Sequence, residues 1–556
     1  MGIYIDEVGY FPNSKKRATV LTDGKYSLVN RVNNEVVLCK EASKVCFDAT
    51  AGEDCYVVDF SELNAEGTYY IKAENEEKSA DFQISNKIYD ELMTDLVKCL
   101  HYQRCGCGLD EKNVGKYTRP LCHKEGSIFL KDYLDKVANP EKVDMTGGWH
   151  DAGDFGKYVS PAAVAIGHLL YSFEIFKDTM SMELNIPETG NGLPDVLNEI
   201  AYELEWMFKM QADNGGVYHK IAGFTHCPFI MPEEDKDQML IFPISSMATA
   251  DFAACMAIVS RVYAGYNKEL SERALKAARK AFYWLKENDY VGFHNPEGSN
   301  TGEYDDDEDL DERAWAAAEL LRTDIDGDVE AYKQMLDESI KSDIKKTDFG
   351  WTDVAGFASL SICTDSKNVA GEELKNIAFK AIFEEADRLV ATIKNSGYEL
   401  GMLTEDFVWG SNMVVTNRGM LLVYAAWLVN SCEDAKKYAK YGFEEYYGAA
   451  ENHVHYILGR NALGRSYVTG YGQHAFKNPH NRVSACDGID EVMPGWVSGG
   501  PFKDFMDPDA LKLLEKGTAP QKCHVDVVGS YSTNEITIYW NSSMAALLAG
   551  VIGLYK

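Results

Sequence analysis

Residues 147–158 read GGWHDAGDFGKY. Asp151 and Asp154 stand three apart, with Ala152 and Gly153 between them and His150 before the first. Asp and Gly are common turn formers, so one reading is a tight acidic turn. The other is two carboxylates projecting from one loop. Like charges that close raise one of the two pKa values, and both groups can accept hydrogen bonds from one water. Such a pair can polarise a water nucleophile.

Four further stretches hold reactive residue types. In SYSTNEITIYWNSS (530–543), Glu535 follows Ser532, Thr533 and Asn534. Those three read as helix-cap residues, which places Glu535 near a helix N-terminus. A glutamate there is favoured by the helix dipole, which lowers its pKa, whereas a general acid needs it raised. An acid role requires desolvation by Tyr531, Tyr539 and Trp540, with nearby Asp charges, to outweigh the dipole. In SYVTGYGQHAFKNPHNR (466–482), His480 and Arg482 follow a Gly-rich loop beside aromatics. They are either structural or a grip for hydroxyls and a developing charge. Cys105, Cys122, His123 and His150 offer two thiolates and two imidazoles, a donor set that suits tetrahedral zinc, although their spacing is not that of a finger. TGEYDDDEDLDER (301–313) is either a solvated acidic loop or a source of hard oxygen ligands for calcium.

These residues need a large scaffold, and the chain supplies one. It has 556 residues, 46% of them hydrophobic, so two or three domains or one large helical barrel are within reach. Its formal charge of -32 would be repelled by a phosphate backbone or an anionic membrane, so neither nucleic acid nor lipid is expected as a partner. No apolar run is long enough for a transmembrane helix. The opening MGIYIDEVGY lacks the basic and apolar regions of a signal peptide. The expectation is secretion if a signal was removed ahead of residue 1, and otherwise a cytoplasmic protein. The 13 cysteines are odd in number and follow no disulfide-framework spacing, so mostly reduced thiols are expected.

Two hydrophobic periods divide the chain. ATVLTD, YSLVN, EVVLCK, CYVVDF, TYYIKA and ADFQIS are short β-type runs between turn residues, the pattern of a small β-sandwich over residues 1–86. Beyond Asn86, apolar residues recur at i, i+3, i+4 and i+7 in about a dozen segments, from IYDELMTDLVKCLHYQRC to NEITIYWNSSMAALLAGVIGLY. Long helices alternating with irregular Gly-rich loops point to stacked helical hairpins over 87–556, with chemistry in the loops.

Together and in order, these pieces resemble glycoside hydrolase family 9, the inverting cellulases, in the subgroup with an N-terminal immunoglobulin-like domain. DEVGYFPNSKKRA is similar to the start of that domain. HYQRCG, RPLCH, GGWHDAGDFGKYV, IPETGNGLPDVLNEIAYELEWMFKMQ, GGVYHK, VWGSN, SYVTGYG, NPHNR, PGWVSGGP and SYSTNEITIYWNS follow the catalytic module from its opening to its end. His474 and His524 depart from the residues usual there, and GGPF replaces the more usual GGPN. The implied fold is multidomain: an all-β immunoglobulin-like sandwich followed by an all-α (α/α)6 barrel.

The resemblance also implies roles. Asp154 would be the general base, Asp151 a second contact to the same water, and Glu535 the general acid. His480 and Arg482 would contact the sugar beside the scissile bond, with His219, Trp409, Trp496 and Tyr531 as further cleft residues. A structural zinc would be held by Cys105, Cys122, His123 and His150. A structural calcium would lie near Glu303, Asp306, Asp311 and Asp353. No organic cofactor is expected. An inverting mechanism holds a water between base and anomeric carbon, with carboxyls roughly 6.5–9.5 Å apart. The substrate would be a β-1,4-glucan such as cellulose, or a cello-oligosaccharide, cut internally. The alternatives are an exo-acting cellodextrinase, cellobiohydrolase or β-glucosidase-like enzyme, and, in a different class, a non-catalytic carbohydrate-binding protein. A monomer is expected.

Overall fold

The structure, a computed structural model, describes residues 2–555. The chain divides into two compact units. One joins the residues up to Cys99 to those from Glu384 onward, and the other runs from Leu100 to Phe383.

The first unit begins with nine strands: β1 (Ile3–Tyr4), β2 (Gly9–Tyr10), β3 (Arg17–Val20), β4 (Lys25–Asn30), β5 (Val36–Glu41), β6 (Ser43–Asp48), β7 (Glu53–Asp59), β8 (Gly67–Ala73) and β9 (Phe82–Ile84). They form two sheets, ordered β1-β3-β7-β6 and β2-β9-β8-β4-β5. Tyr26 and Leu28 of β4, Val58 of β7, Tyr69 and Ile71 of β8 and Phe82 of β9 share one buried core between them. β9 alternates buried and exposed residues, whereas β8 buries Tyr69, Tyr70 and Ile71 in a row. β2 pairs in parallel with β9, and a Cβ on Gly9 would overlap the Gln83 carbonyl at 2.0 Å, so the Gly of DEVGYFP is required by that pairing. β1, β2 and β6 escaped the sequence reading. The first two are two residues long, and SKVCFD lacks a clear alternation.

The sequence division at 86/87 falls between the last strand and the first helix, Asp90–Tyr102. The compact units are drawn differently, because the sandwich bonds to later segments of its own unit. Asp6 accepts from His455 Nδ1 at 2.8 Å in the helix Phe443–Ile457. Thr19 donates to the Gly397 carbonyl at 2.9 Å, and Asp48 accepts from Gly397 N at 2.8 Å. In this unit the helices Ser411–Ser431, Phe443–Ile457 and Ile538–Leu554 pack on one another.

In the second unit the helix Ser246–Tyr263 is buried on nearly every face. It packs against Val159–Ile175, Lys268–Glu287 and Leu310–Thr323. Lys268–Glu287 buries only one stripe. A helix apolar all round beside an amphipathic one is the sequence logic of α/α hairpins. A small sheet absent from the sequence reading orders Ile128–Phe129, Leu240–Ile241, Lys220–Ala222 and Lys157–Tyr158 side by side. Strands of two or three residues carry no readable period, yet this sheet grips the C-terminal side of the paired-Asp loop through Lys157↔Ile221 and Tyr158↔Lys220. Among the described residues no helix is long and apolar enough to cross a membrane.

Candidate active site

The paired-Asp loop is pinned along its length. Gly148 has φ 77°, and a Cβ there would meet the Trp206 ring at 2.8 Å, so the backbone can turn against that indole only as glycine. Trp149 is buried, donating its backbone N–H to Glu203 at 2.5 Å and its indole N–H to Glu199 at 2.9 Å. Lys157 Nζ donates to the carbonyls of Met145 (2.8 Å) and Gly147 (2.7 Å). His150 N donates to Gln103 O at 2.8 Å, Gln103 Nε2 returns a bond to Ala152 O at 2.7 Å, and Asp151 N closes on Gly156 O at 2.9 Å.

The two carboxylates differ. Asp151 is 1% exposed and accepts from the Tyr304 hydroxyl at 2.5 Å. Its Oδ1 is buried and meets no protein donor among the described residues. Burial pushes its pKa up to about 8; the Tyr304 bond pulls down and the Asp154 charge pushes up further. Asp154 Oδ2 accepts from Gly156 N at 3.3 Å and lies 3.2 Å from Nδ1 of the half-exposed His226. His226 is steadied by a bond from its backbone N–H to Asn300 Oδ1 at 2.9 Å. Beneath, Lys220 Nζ donates to Asn295 Oδ1, Thr301 Oγ1 and Gly302 O. Burial lowers its pKa to about 7 against the opposing pull of Asp154 and Glu303. Tyr304 and His226 were missed. Tyr304 sits inside the acidic stretch read as a calcium loop, and His226, in FTHCPF, has no sequence companion that marks it.

One turn away is the Cys/His set. The four ligand atoms of Cys105, Cys122, His123 and His150 lie within 4.8 Å of one another. His123 Nε2 is 3.2 Å from Asp235, which leaves Nδ1 for the centre. His123 Nδ1 and His150 Nε2 are both buried with no protein partner among the described residues. Arg119 Nη1 donates to Cys122 Sγ at 3.2 Å and favours its thiolate. Two sulfurs and two free imidazole nitrogens converging at this range fit a tetrahedral zinc, with Asp235 as the carboxylate that orients one ligand.

The calcium expectation needs correction. Glu303 is turned elsewhere: its Oε1 accepts from His294 Nδ1 at 3.1 Å and Asn295 N at 3.0 Å. Asp306, Asp311 and Asp353 are neighbours: burial raises the pKa of Asp306, to about 7, and that of Asp353, and the Asp311 charge adds to both. Two residues absent from the expected set join them. Asp251 and Glu312 are fully buried; burial raises both pKa values and the Asp311 charge adds to each, against a pull from the Ser160 hydroxyl on Asp251, and none of their four carboxylate oxygens meets a donor in good hydrogen-bond geometry among the described residues. Asp311 Oδ1 is equally unpartnered, while Oδ2 accepts from Val354 N at 2.7 Å. Five orphaned oxygens on three buried carboxylates fit a hard cation. The signal for Asp251 was a lone charge in the otherwise apolar SSMATADFAACMAIVS.

The remaining expected residues belong to the other unit. His480 Nδ1 donates to Val528 O at 2.7 Å, and its backbone N–H donates to Asn534 O at 2.9 Å. Its ring lies 5.9 Å from that of Tyr531, which lies 5.6 Å from that of Trp409. Trp409 is 42% exposed, so this aromatic run offers an open face. Arg482 starts the short helix Arg482–Cys486, capped by Asn481. Glu535 bridges to His480 in parallel and follows the turn Tyr531–Asn534. The long helix starts only at Ile538, and Thr537 is its cap, accepting from Trp540 N at 3.2 Å. Ser532, Thr533 and Asn534 are therefore not its caps; Ser532 and Ser530 donate instead to Asp507. Glu535 stands two residues before that cap, outside the helix itself.

Two of the expected cleft residues are corrected. His219 is 2% exposed, with Nδ1 2.9 Å from Ser245 Oγ, Nε2 donating to Glu303 O at 2.8 Å and the ring stacked on Phe293. No ring atom remains for a sugar. Trp496 is 1% exposed and cannot present a face.

The comparisons with known proteins agree along the whole chain. The family model described as Glycosyl hydrolase family 9 matches residues 89–548, and that described as Cellulase N-terminal ig-like domain matches 1–78. A cellodextrinase of Butyrivibrio fibrisolvens is 40% identical over 99% of this chain and 99% of its own. Endoglucanase D of Acetivibrio thermocellus is 33% identical over 99% of this chain and 83% of its own. A solved structure of AaCel9A in complex with cellobiose-like isofagomine has a TM-score of 0.89 at 30% identity, covering 99% of this chain and 100% of that one. The fold class is the expected one, an N-terminal immunoglobulin-like sandwich followed by an (α/α)6 barrel.

Proposed function

Since the chain belongs to glycosyl hydrolase family 9, we propose that it cuts β-1,4-glucosidic bonds in one displacement, with Asp154 as base and Glu535 as acid. It is a glycoside hydrolase acting on β-1,4-glucans or cello-oligosaccharides. Asp154 takes a proton from water as the water oxygen attacks the anomeric carbon, and Glu535 gives a proton to the departing glycosidic oxygen. Asp151 holds the water from its second side. His480, Arg482, Tyr531 and Trp409 bind the glucan, rings stacking on pyranose faces while polar groups read hydroxyls. The observation that carries this reading is the pinned loop, which presents one buried carboxyl held by Tyr304 and a second beside His226.

We also propose a structural zinc on Cys105, Cys122, His123 Nδ1 and His150 Nε2, and calcium on Asp251, Asp311 and Glu312. Zinc would tie His150, one residue before Asp151, to the scaffold. Calcium would neutralise carboxylates that burial otherwise forces to keep protons.

Endo action is the primary reading. An exo-acting cellodextrinase is the second, favoured by the 40% identical relative over the full length of both chains. The test is viscosity of a soluble cellulose derivative followed against reducing-end release, with products from cello-oligosaccharides of defined length. Endo action drops viscosity early; exo action releases reducing ends at nearly constant viscosity. Absence of both would reject the hydrolase reading.

Tyr304→Phe is expected to lower kcat about tenfold with KM little changed, because a hydrogen bond to a charged or nearly charged group is worth about 1.5–3 kcal/mol. Steady-state kinetics on cellotetraose checks it; an unchanged kcat would remove Tyr304 from the site.

A further inference from the structure

Tyr133 lies on the short helix Leu130–Leu134, which follows the strand Ile128–Phe129. That strand belongs to the small sheet whose other edge, Lys157–Tyr158, ends the paired-Asp loop. Tyr133 is 41% exposed, yet its ring is not loose: it lies 5.3 Å from the ring of Phe224 at 33°. Phe224 is itself backed by the buried cluster of Leu130, Ala222, Leu240 and Phe293. From this shelf a short chain of bonds leads to the carboxylate. Asn300 N donates to Phe224 O at 3.4 Å, Asn300 Oδ1 accepts from His226 N at 2.9 Å, and His226 Nδ1 is 3.2 Å from Asp154.

We propose that Tyr133, backed by Phe224, is a further sugar-stacking subsite, taking a glucose unit of a longer glucan on the Asp154 side. The inference rests on the glucanase reading above. A scattered exposed aromatic needs no explanation by itself. This one differs because a second ring fixes its orientation and because one sheet carries both it and the Asp154 loop. A ring already held in place loses little freedom on binding, which is what a pyranose C–H face requires of a platform.

The experiment compares kcat/KM on cellohexaose and cellotriose for wild type, Tyr133→Ala and Tyr133→Phe, with melting midpoints to confirm folding. The ratio of long to short is expected to fall about three- to tenfold in Tyr133→Ala, the range of an aromatic stacking contact. Tyr133→Phe, which keeps the ring, is expected to restore most of it. An unchanged ratio overturns the subsite, and a raised ratio would make Tyr133 a wall that excludes long chains. If the wild-type protein releases no product from either oligosaccharide, the proposed function itself fails.

Discussion

Asp154→Ala is expected to lower kcat on cellotetraose about a thousandfold, in the middle of the range for losing a positioned general base. The loss should not depend on the leaving group, because the base acts on the water. Glu535→Gln should behave differently. Natural glucan leaves as a poor alkoxide and needs its proton, so the loss there should match that of Asp154→Ala. An aryl cellobioside with an acidic phenol leaves without help, so Glu535→Gln should retain most of its rate on that substrate. Both side chains sit in ordered loops tied by backbone bonds, the Asp154 loop by Asp151 N to Gly156 O and Glu535 through its carbonyl to Gly499 N. Asp154→Ala loses the Gly156 N–H bond to Oδ2 but, like Glu535→Gln, leaves those backbone bonds in place, and a melting midpoint checks that folding is kept. Equal losses on both substrates for both variants would reject the division of labour, and full activity in either would reject the site.

Metal removal should have the second large effect. Purified protein is expected to carry one zinc per chain, and Cys122→Ser to lose it. A structural zinc contributes folding free energy outright, so a loss of a few kcal/mol should lower the melting midpoint of a chain this long by about 3–5 °C. Activity should fall further than stability explains, because His150 and Asp151 are adjacent and the Gln103 bonds at His150 N and Ala152 O hold the same loop. Asp235→Asn should keep the four ligands but weaken zinc about 10–100-fold, the usual cost of losing an orienting carboxylate. Emission spectroscopy for zinc, with melting curves before and after chelation, checks all three. Sub-stoichiometric zinc with an unchanged midpoint after chelation would contradict the site.

Much of this was legible because strong local patterns coincide with function. Most of the longer sandwich strands showed as short runs rich in Val, Ile, Tyr and Phe between turn residues, β6 excepted, and the long helices as recurring apolar positions. The Cys/His set was readable only through the resemblance, since its four ligands come from segments with no local spacing rule. What escaped were residues defined by long-range contact. Tyr304 reaches Asp151 across 153 positions, and Glu312 and Asp251 meet only when two helices pack. His219 and Trp496 failed in the opposite direction. Both types suit a sugar cleft, but burial and satisfied partners, which a sequence does not print, make them scaffold. The helix start at Ile538 rather than near Asn534 was a choice among several consecutive capping residues, and Thr537 won it.

The measurement that bears most directly on a single displacement by Asp154 and Glu535 is proton NMR of the fresh anomeric product from cellotetraose, recorded before mutarotation. The account predicts that the newly formed reducing end appears first as the α-anomer and drifts toward equilibrium. A newly formed end that appears first as the β-anomer would mean a covalent glycosyl intermediate, and would contradict it.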